Sequence, residues 1–132
     1  MGRLQLWRPL LRWGAGIGVA GLLSIGAALA REAAPLPGTV PLAQLPVEAR
    51  TVHRLILAGG PFARAKDGIV FANRERILPA EARGFYREYT VATPGASDRG
   101  ARRMVCGGQQ PAAPIACYYT ADHYATFRRV TT

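Results

Sequence analysis

The sequence predicts an α+β domain in which one N-terminal helix packs on a single antiparallel β-sheet. Apolar residues recur at helical spacing over residues 45–57. From residue 69 onward, short runs rich in aromatic and β-branched residues follow one another. Turn signals such as Asp67-Gly68 and Thr93-Pro94-Gly95 separate those runs. The 132 residues allow one domain, or at most two small ones.

The first thirty residues have the layout of a secretory signal peptide. Arg3, Arg8 and Arg12 precede an uncharged stretch, residues 13–30, that ends Ala28-Leu29-Ala30. An uncleaved membrane anchor is the alternative, because this stretch is close to the shortest that can span a bilayer. The glycines and the small residues at the end favour cleavage. We therefore expect a secreted protein that has no stable membrane association after the signal is removed.

Charge and composition narrow the class of protein. The chain has 17 basic and 8 acidic residues, a net charge of +9, which becomes +6 without residues 1–30. This balance favours an anionic partner, either nucleic acid or a membrane surface. The hydrophobic share of 49% excludes a disordered basic tail. Two cysteines and two histidines exclude a zinc finger and a disulfide-dense mini-protein.

The elements follow in order along the chain. Residues 31–41 contain three prolines and are interpreted as an extended N-terminal segment, with the domain itself at residues 42–132. In the predicted helix Pro46 suits the first turn, and Gly59-Gly60-Pro61 ends it. His53 is interpreted as a structural residue of that helix, since a histidine without a nearby partner makes no site. The predicted strands are residues 69–71, 85–92, 101–106, 117–121 and 125–130.

Cys106 and Cys117 flank a Gly- and Pro-containing stretch that is interpreted as a hairpin loop. In an exported protein, two cysteines are more often bonded than free, and a disulfide here would restrain the loop. The alternative is that Cys106 is a buried thiol on its strand. Strand register decides between these, because neighbouring strand positions face opposite ways.

A second set of residues has the chemistry of a phosphodiester site. Glu88 lies within the clearest strand, where a carboxylate disfavours folding unless it faces solvent or a partner. Arg99, Arg102 and Arg103 follow it, and His123 lies between two strand runs. One such group can take a proton, another can give one, and arginines bind phosphate. A solvated basic face with a surface glutamate explains the same spacing equally well.

Several blocks of the sequence resemble one family. They are GPFARAKDGIVFANRER (60–76), GFYREYTVATPGA (84–96), DRGARRMVCG (98–107) and YYTADHYATF (118–127). In this order they resemble the small secreted guanyl-preferring microbial ribonucleases, the group that includes barnase and ribonuclease Sa. The resemblance covers nearly all of residues 38–130 and implies the fold of that family.

The resemblance also implies a mechanism. Glu88 matches the general base, which takes the proton of the ribose 2′-OH, and His123 matches the general acid, which protonates the departing 5′-oxygen. Arg99 and Arg103 match the arginines that hold the phosphate. The implied product is a 2′,3′-cyclic phosphate. The family needs no metal and no cofactor.

The resemblance assigns guanine recognition to one loop and one aromatic residue. Glu75 would accept hydrogen bonds from guanine N1–H and the 2-amino group, and loop amides would donate to O6. Without the resemblance, Glu75 reads as a surface residue paired with Arg74 or Arg76. Arg74 matches an arginine near the general base. The implied guanine-binding residues are Phe71, Ala72, Asn73, Arg74, Glu75 and Tyr124.

Three departures from the family pattern stand out. Ala72 replaces a polar residue that relatives often carry, which predicts looser selectivity. Pro41 stands where some relatives have a half-cystine, and no cysteine follows Phe127. A Cys106–Cys117 bond would be a local replacement for that missing disulfide.

Two other classes of function fit the same composition. A non-catalytic basic RNA-binding module needs the charge but no ordered acid–base pair. A membrane-tethered cationic protein needs residues 13–30 to remain in place. For the ribonuclease, the expected partners are RNA and, by resemblance, a small acidic inhibitor of the barstar type, and we expect a monomer.

Overall fold

The computed structural model describes residues 37–132, together with Gly14 alone. The predicted signal peptide and most of the predicted extended segment therefore lie outside the described residues. Two helical elements follow the first strand, the 3₁₀ helix Leu42–Gln44 and helix α1, Val47–Ala58. The strands are β1 (Gly38–Pro41), β2 (Ile69–Val70), β3 (Tyr86–Thr90), β4 (Arg103–Gly107), β5 (Ala116–Thr120) and β6 (Arg128–Thr131).

The six strands form one sheet in the order β1-β6-β5-β4-β3-β2. Every pair from β2 to β6 is antiparallel, as the sequence predicts, but β1 pairs with β6 in parallel. The predicted domain start at residue 42 therefore leaves out an edge strand. The prolines around β1 disfavour the prediction of a strand there. Its pairing partner, β6, lies at the other end of the chain. Val40, opposite Val130, is buried in the core.

Helix α1 is close to its prediction and begins two residues later. Pro46 precedes its first turn, and Gly59 ends it in the left-handed conformation, with φ of 80°. The amide of Gly60 donates to the carbonyl of Leu55 at 2.9 Å, which closes the last turn. His53 is buried on this helix, in keeping with its structural interpretation, and burial lowers the pKa of its imidazole.

The central strands β3, β4 and β5 have two different faces, because successive side chains of a strand point to opposite sides. We name them the helix face and the cleft face. The helix face packs against α1 and contains the larger core, to which Ala49 and Ile56 of α1 contribute. Its strand residues are Tyr89, Met104, Cys106, Cys117 and Tyr119. The cleft face has a smaller core around Tyr86, Val105, Tyr118, Leu78 and Phe127.

The two cysteines form a disulfide on the helix face. Cys106 of β4 and Cys117 of β5 are register partners with their Cα atoms 4.1 Å apart. Register partners in an antiparallel pair project to the same side of the sheet, so the two thiols meet. The bond lies among the buried residues of the larger core.

The last strand begins later than predicted. The sequence pattern places a strand over residues 125–130, whereas β6 is Arg128–Thr131. Residues 121–127 instead form a turn that Asp122 organises, since its carboxylate accepts from both the amide and the hydroxyl of Thr126. Among residues 37–132, no helix is long and apolar enough to cross a membrane.

Candidate active site

Glu88 occupies the middle of β3 on the cleft face. It lies opposite Val105 of β4 and Ile69 of β2, and its side chain is 12% exposed. Arg99 Nη2 lies 3.3 Å from Oε1, and the Tyr124 hydroxyl donates to Oε2 at 2.9 Å. Each oxygen of this nearly buried carboxylate thus has a partner, which offsets the cost of placing an acid in a strand.

Arg99 reaches Glu88 from the loop between β3 and β4. Its Nε donates to the hydroxyl of Thr90 at 2.9 Å, so the guanidinium is held at two points along one strand. Thr90 is fixed in turn because its amide donates to Asp67 Oδ1 at 2.7 Å. About a quarter of the Arg99 side chain stays exposed, at 23%, which leaves guanidinium surface available to an anion.

Arg103 is the most deeply buried charge of the site, at 2% exposure. Its Nη1 donates to the carbonyls of Gly100 at 3.0 Å and Arg102 at 2.8 Å, and lies 3.4 Å from that of Arg99. Its Nε donates to the Tyr124 hydroxyl at 3.2 Å. A buried guanidinium with these acceptors keeps its charge and a fixed orientation.

Gly100 makes that close approach possible. Its φ is 62°, a conformation that favours glycine, and a Cβ there would lie 2.5 Å from the Thr93 hydroxyl oxygen. A side chain at this position would therefore meet Thr93 and strain the loop whose Gly100 carbonyl accepts from Arg103 Nη1.

Tyr124 connects the charged residues with the aromatic ones. Its hydroxyl bonds to both Glu88 and Arg103, and its ring stacks on Phe71 with centroids 5.2 Å apart. Burial is the main reason that the pKa of this phenol is raised, and the hydrogen bond to Glu88 adds to the effect. The phenol therefore remains a proton donor to the carboxylate at neutral pH.

His123 is exposed at the rim, in the turn after β5. Its amide donates to the carbonyl of Ala101 at 2.9 Å, which ties the turn to the loop that precedes β4. Its ring lies edge-on to Tyr124, with centroids 4.8 Å apart. His123 and Tyr124 both have positive φ, 54° and 71°.

An open cleft of about 680 Å³ lies between the turn that holds His123 and Tyr124 and the loop that follows β2. Every residue that the sequence predicts for guanine binding lies in its wall. The lining residues are Phe71, Ala72, Asn73, Arg74, Glu75, Ile77, His123, Tyr124, Ala125 and Phe127.

Asn73 shapes this loop with its own side chain. Its Oδ1 accepts from the Leu78 amide at 3.1 Å, and its Nδ2 donates to the Leu78 carbonyl at 2.9 Å. With φ of 51°, the residue turns the chain where asparagine is among the tolerated side chains. The side-chain amide therefore holds the loop in shape.

The expected place of Arg74 near the general base stays a prediction. Among residues 37–132, the ion pair of Glu88 is with Arg99, whereas Arg74 is exposed on the cleft wall. Glu75 is also exposed and forms no ion pair with Arg74 or Arg76 within that part of the chain, so its carboxylate faces the cleft unoccupied by either arginine.

Several residues that support this site have no predicted role in it. Asp67 and Thr90 hold Arg99, while Thr120, Asp122 and Thr126 hold the turn of His123. The pattern Asp-x-x-x-Thr, typical of a side chain that caps a turn, is the available signal for the second group.

A carboxylate and two oriented guanidiniums are linked by hydrogen bonds, directly or through Glu88, to Tyr124, which lines the cleft together with the imidazole of His123. Such a set can move protons in opposite directions and stabilise negative charge between them. Over residues 37–132, no three His, Cys, Asp or Glu side chains converge as a metal site would require.

The chain is similar in sequence to known ribonucleases. The family model described as ribonuclease matches residues 30–131. Over 93 residues the chain is 53% identical to guanyl-specific ribonuclease Sa3 of Kitasatospora aureofaciens, covering 70% of this chain and 63% of that protein. It is 52% identical over 90 residues to guanyl-specific ribonuclease Sa of the same organism, covering 68% and 90%.

Solved structures agree with the sequence comparison. A crystal structure of ribonuclease Sa2 with guanosine-2′-cyclophosphate matches at a TM-score of 0.65 and 42% identity, covering 72% of this chain and 96% of that one. Ribonuclease Sa2 in complexes with mononucleotides matches at a TM-score of 0.69 and 42% identity, covering 74% and 97%.

Proposed function

The chain belongs to the guanyl-specific microbial ribonuclease family, and on that premise we propose that it is a metal-independent endoribonuclease that cuts single-stranded RNA after guanosine. The observation that carries this proposal is the environment of Glu88. This carboxylate in mid-strand is paired with Arg99 at 3.3 Å and with Tyr124 at 2.9 Å, and Tyr124 lines the cleft together with His123.

The proposed reaction is a transesterification. Glu88 takes the proton of the ribose 2′-OH, and the oxygen forms a bond to the adjacent phosphorus. The bond from phosphorus to the 5′-oxygen breaks, and His123 gives that oxygen a proton. The product is a 2′,3′-cyclic phosphate, and the two residues exchange roles when water opens it.

Arg99 and Arg103 serve the phosphate in different ways. Arg99, partly exposed and held by Thr90, contacts the phosphate oxygens as negative charge grows on them. Arg103, at 2% exposure, acts mainly as a fixed positive charge beneath the site and orients Tyr124. Neither residue has to reorganise during the reaction, because each is already hydrogen-bonded in place.

Guanine is proposed to bind in the cleft beside the stacked Phe71–Tyr124 pair. Aromatic side chains are common platforms for the bases of single-stranded RNA. The exposed carboxylate of Glu75 accepts from N1–H and the 2-amino group, a donor pair that only guanine presents. Backbone amides of the loop braced by Asn73 donate to O6.

The decisive experiment incubates the protein with dinucleotides in EDTA. Guanosine-containing substrates should be cut to guanosine 2′,3′-cyclic phosphate, and the 2′-deoxy analogue should resist because the attacking oxygen is missing. Cleavage of the deoxy substrate would contradict the mechanism. Loss of activity in EDTA that added metal restores would contradict metal independence.

His123→Ala separates catalysis from RNA binding alone. Removal of an acid–base group should lower kcat by about 10²-fold or more. A basic binding module would lose little RNA affinity with this change, since its attraction comes from the net charge of +6 outside residues 1–30.

Secretion, a monomeric state and a barstar-type inhibitor belong to the same proposal. The basic and apolar pattern of residues 1–30 supports export, and N-terminal sequencing of the exported protein should begin near Arg31. Sedimentation should give the mass of a monomer. An acidic inhibitor would cover the arginines around the cleft, and salt-sensitive inhibition by such a protein tests this part of the proposal.

A further inference from the structure

The turn that carries His123 is closed by a network centred on Asp122. One carboxylate oxygen, Oδ1, accepts from the Thr120 hydroxyl at 2.8 Å and the Thr126 amide at 2.9 Å. The other, Oδ2, accepts from the Thr126 hydroxyl at 2.6 Å. The Thr120 hydroxyl in turn accepts from the Tyr124 amide at 3.2 Å. The network therefore encloses the backbone of both residues that face the cleft.

That backbone has an unfavourable conformation for its residue types. His123 and Tyr124 are consecutive residues with φ of 54° and 71°, in the left-handed region that side chains disfavour. Such a conformation persists only where its surroundings hold it. The surroundings here are the Asp122 network and the hydrogen bond from the His123 amide to Ala101.

The network is anchored to a rigid part of the fold. Thr120 is the last residue of β5, pairs with Arg103 in the sheet and is 1% exposed. Through Thr120, the turn is attached to the strand pair β4–β5, which also positions Arg103. The position of the imidazole thus depends on hydrogen bonds that begin at the sheet.

We propose that Asp122 is a positioning residue for His123, whose backbone it holds in the conformation that directs the imidazole toward the departing 5′-oxygen. The proposal rests on the proposed function, in which His123 is the general acid. Asp122 itself touches neither substrate nor reacting atoms. The hydroxyl and amide of Thr126 lower the pKa of its carboxyl to about 2, so the network keeps its charge wherever the enzyme would act.

The test uses two guanosine substrates that differ in the leaving group. Guanylyl-(3′→5′)-cytidine needs a proton on its 5′-oxygen, whereas guanosine 3′-(4-nitrophenyl phosphate) releases a stable phenolate without one. Asp122→Ala should lower kcat on the dinucleotide by about 10- to 100-fold, the scale of a misplaced catalytic group. On the nitrophenyl ester, the loss should shrink to within about threefold, because acid catalysis is no longer needed.

Combination with His123→Ala gives an independent readout. If Asp122 acts through His123, Asp122→Ala should cost little further activity in a chain that already lacks the imidazole. Equal losses on both substrates, or additive losses in the double variant, would show a general structural role and overturn the proposal. Failure of the wild-type chain to cut either guanosine substrate would instead count against the proposed function.

Matched variants keep the test interpretable. Glu48→Ala removes a carboxylate in the first turn of α1, away from the cleft, and should leave both substrates unaffected. If Asp122→Ala does not fold, Thr126→Val removes one hydroxyl donor to Oδ2 and leaves the backbone bond intact. Thr126→Val should show the same substrate dependence in weaker form, and Thr126→Ser should restore activity. A Thr126→Val variant equally slow on both substrates would also overturn the proposal.

Discussion

The helix face and the cleft face of the sheet are built from the same strands but have opposite characters. On β3, Tyr89 is buried against the helix side while its neighbour Glu88 forms the centre of the proposed active site. On β4, Met104 lies on the helix face and its neighbour Arg103 lies on the cleft face. Apolar packing maintains the helix face, whereas the cleft face combines a smaller apolar core with hydrogen bonds between charged and hydroxyl groups.

This difference shows how a domain of this size supports a polar site. Burial of apolar side chains on one face holds the strands in register, and the register then places Glu88, Thr90 and Arg103 beside one another on the other face. Substitutions on the two faces should therefore affect different measured quantities, catalysis on the cleft face and free energy of unfolding on the helix face.

The largest effect is expected from Glu88→Gln on the cleft face. The amide cannot take the 2′-OH proton, so kcat/KM on a guanosine dinucleotide should fall by about 10²- to 10⁴-fold. The free energy of unfolding should change by about 1 kcal/mol or less, because the Arg99 pair is partly exposed and the amide still accepts one hydrogen bond. Steady-state kinetics and urea unfolding measure the two quantities, and a variant that loses both together would contradict the separation of faces.

Met104→Ala is the matching change on the helix face. This side chain is fully buried, so its truncation should lower the free energy of unfolding by about 2–5 kcal/mol. Activity per folded molecule should be retained at a temperature where the variant is folded. Leu57→Ala, on an exposed position of α1, is the control and should cost much less. A kcat loss in folded Met104→Ala would show that the cleft depends on core packing.

Loss of the Cys106–Cys117 disulfide should have a somewhat smaller effect of the same kind. The bond closes a ring of 12 residues, and the loop-entropy relation gives a stabilisation of roughly 2–3 kcal/mol. Cys106→Ala with Cys117→Ala, or reduction of the wild type, should lower the free energy of unfolding by that order and leave kcat nearly unchanged. Reduction should have no effect on the double variant.

The smallest expected effect is a pH dependence of the free energy of unfolding that originates at His53 of α1. Burial lowers the pKa of His53, so folding favours its neutral form. The stability from this group is present above the unfolded pKa of 6.5 and is lost as pH falls through the lower folded value. His53→Gln should therefore reduce the loss of stability between pH 7 and pH 5, measured by urea unfolding. Parallel pH curves for the two chains would exclude His53 as the source.

Local patterns explain which parts of the fold could be predicted. Helix α1, the strand around Glu88 and the turn after Thr90 are encoded by neighbouring residues, so periodicity and turn chemistry find them. Strand β1 was missed as a strand because three prolines surround it and because its partner, Arg128–Thr131, is at the far end of the chain. The pattern starts the last strand at residue 125 although residues 125–127 belong to the turn, since β-propensity does not register the hydrogen bonds of Asp122.

The candidate site, too, could be predicted only in part. Residue types and block order identify Glu88, His123, Arg99 and Arg103 as candidates by resemblance, but they do not show which groups touch. The bond from Tyr124 to Glu88 joins residues 36 positions apart, and the brace from Asp67 to Thr90 joins residues 23 apart. Nor do they show that the Asn73 side chain closes its own loop by bonding to the backbone of Leu78.

By itself, the sequence determined the class of fold, the alternation that separates Glu88 from Tyr89, and the chemical types available to the site. These properties depend on a residue and its near neighbours. Only the tertiary structure decided that Cys106 faces Cys117, that Tyr124 links Glu88 to Arg103, and that the His123 turn takes a left-handed form. Those features depend on strand register and on hydrogen bonds between distant segments, which form only when the whole sheet is assembled.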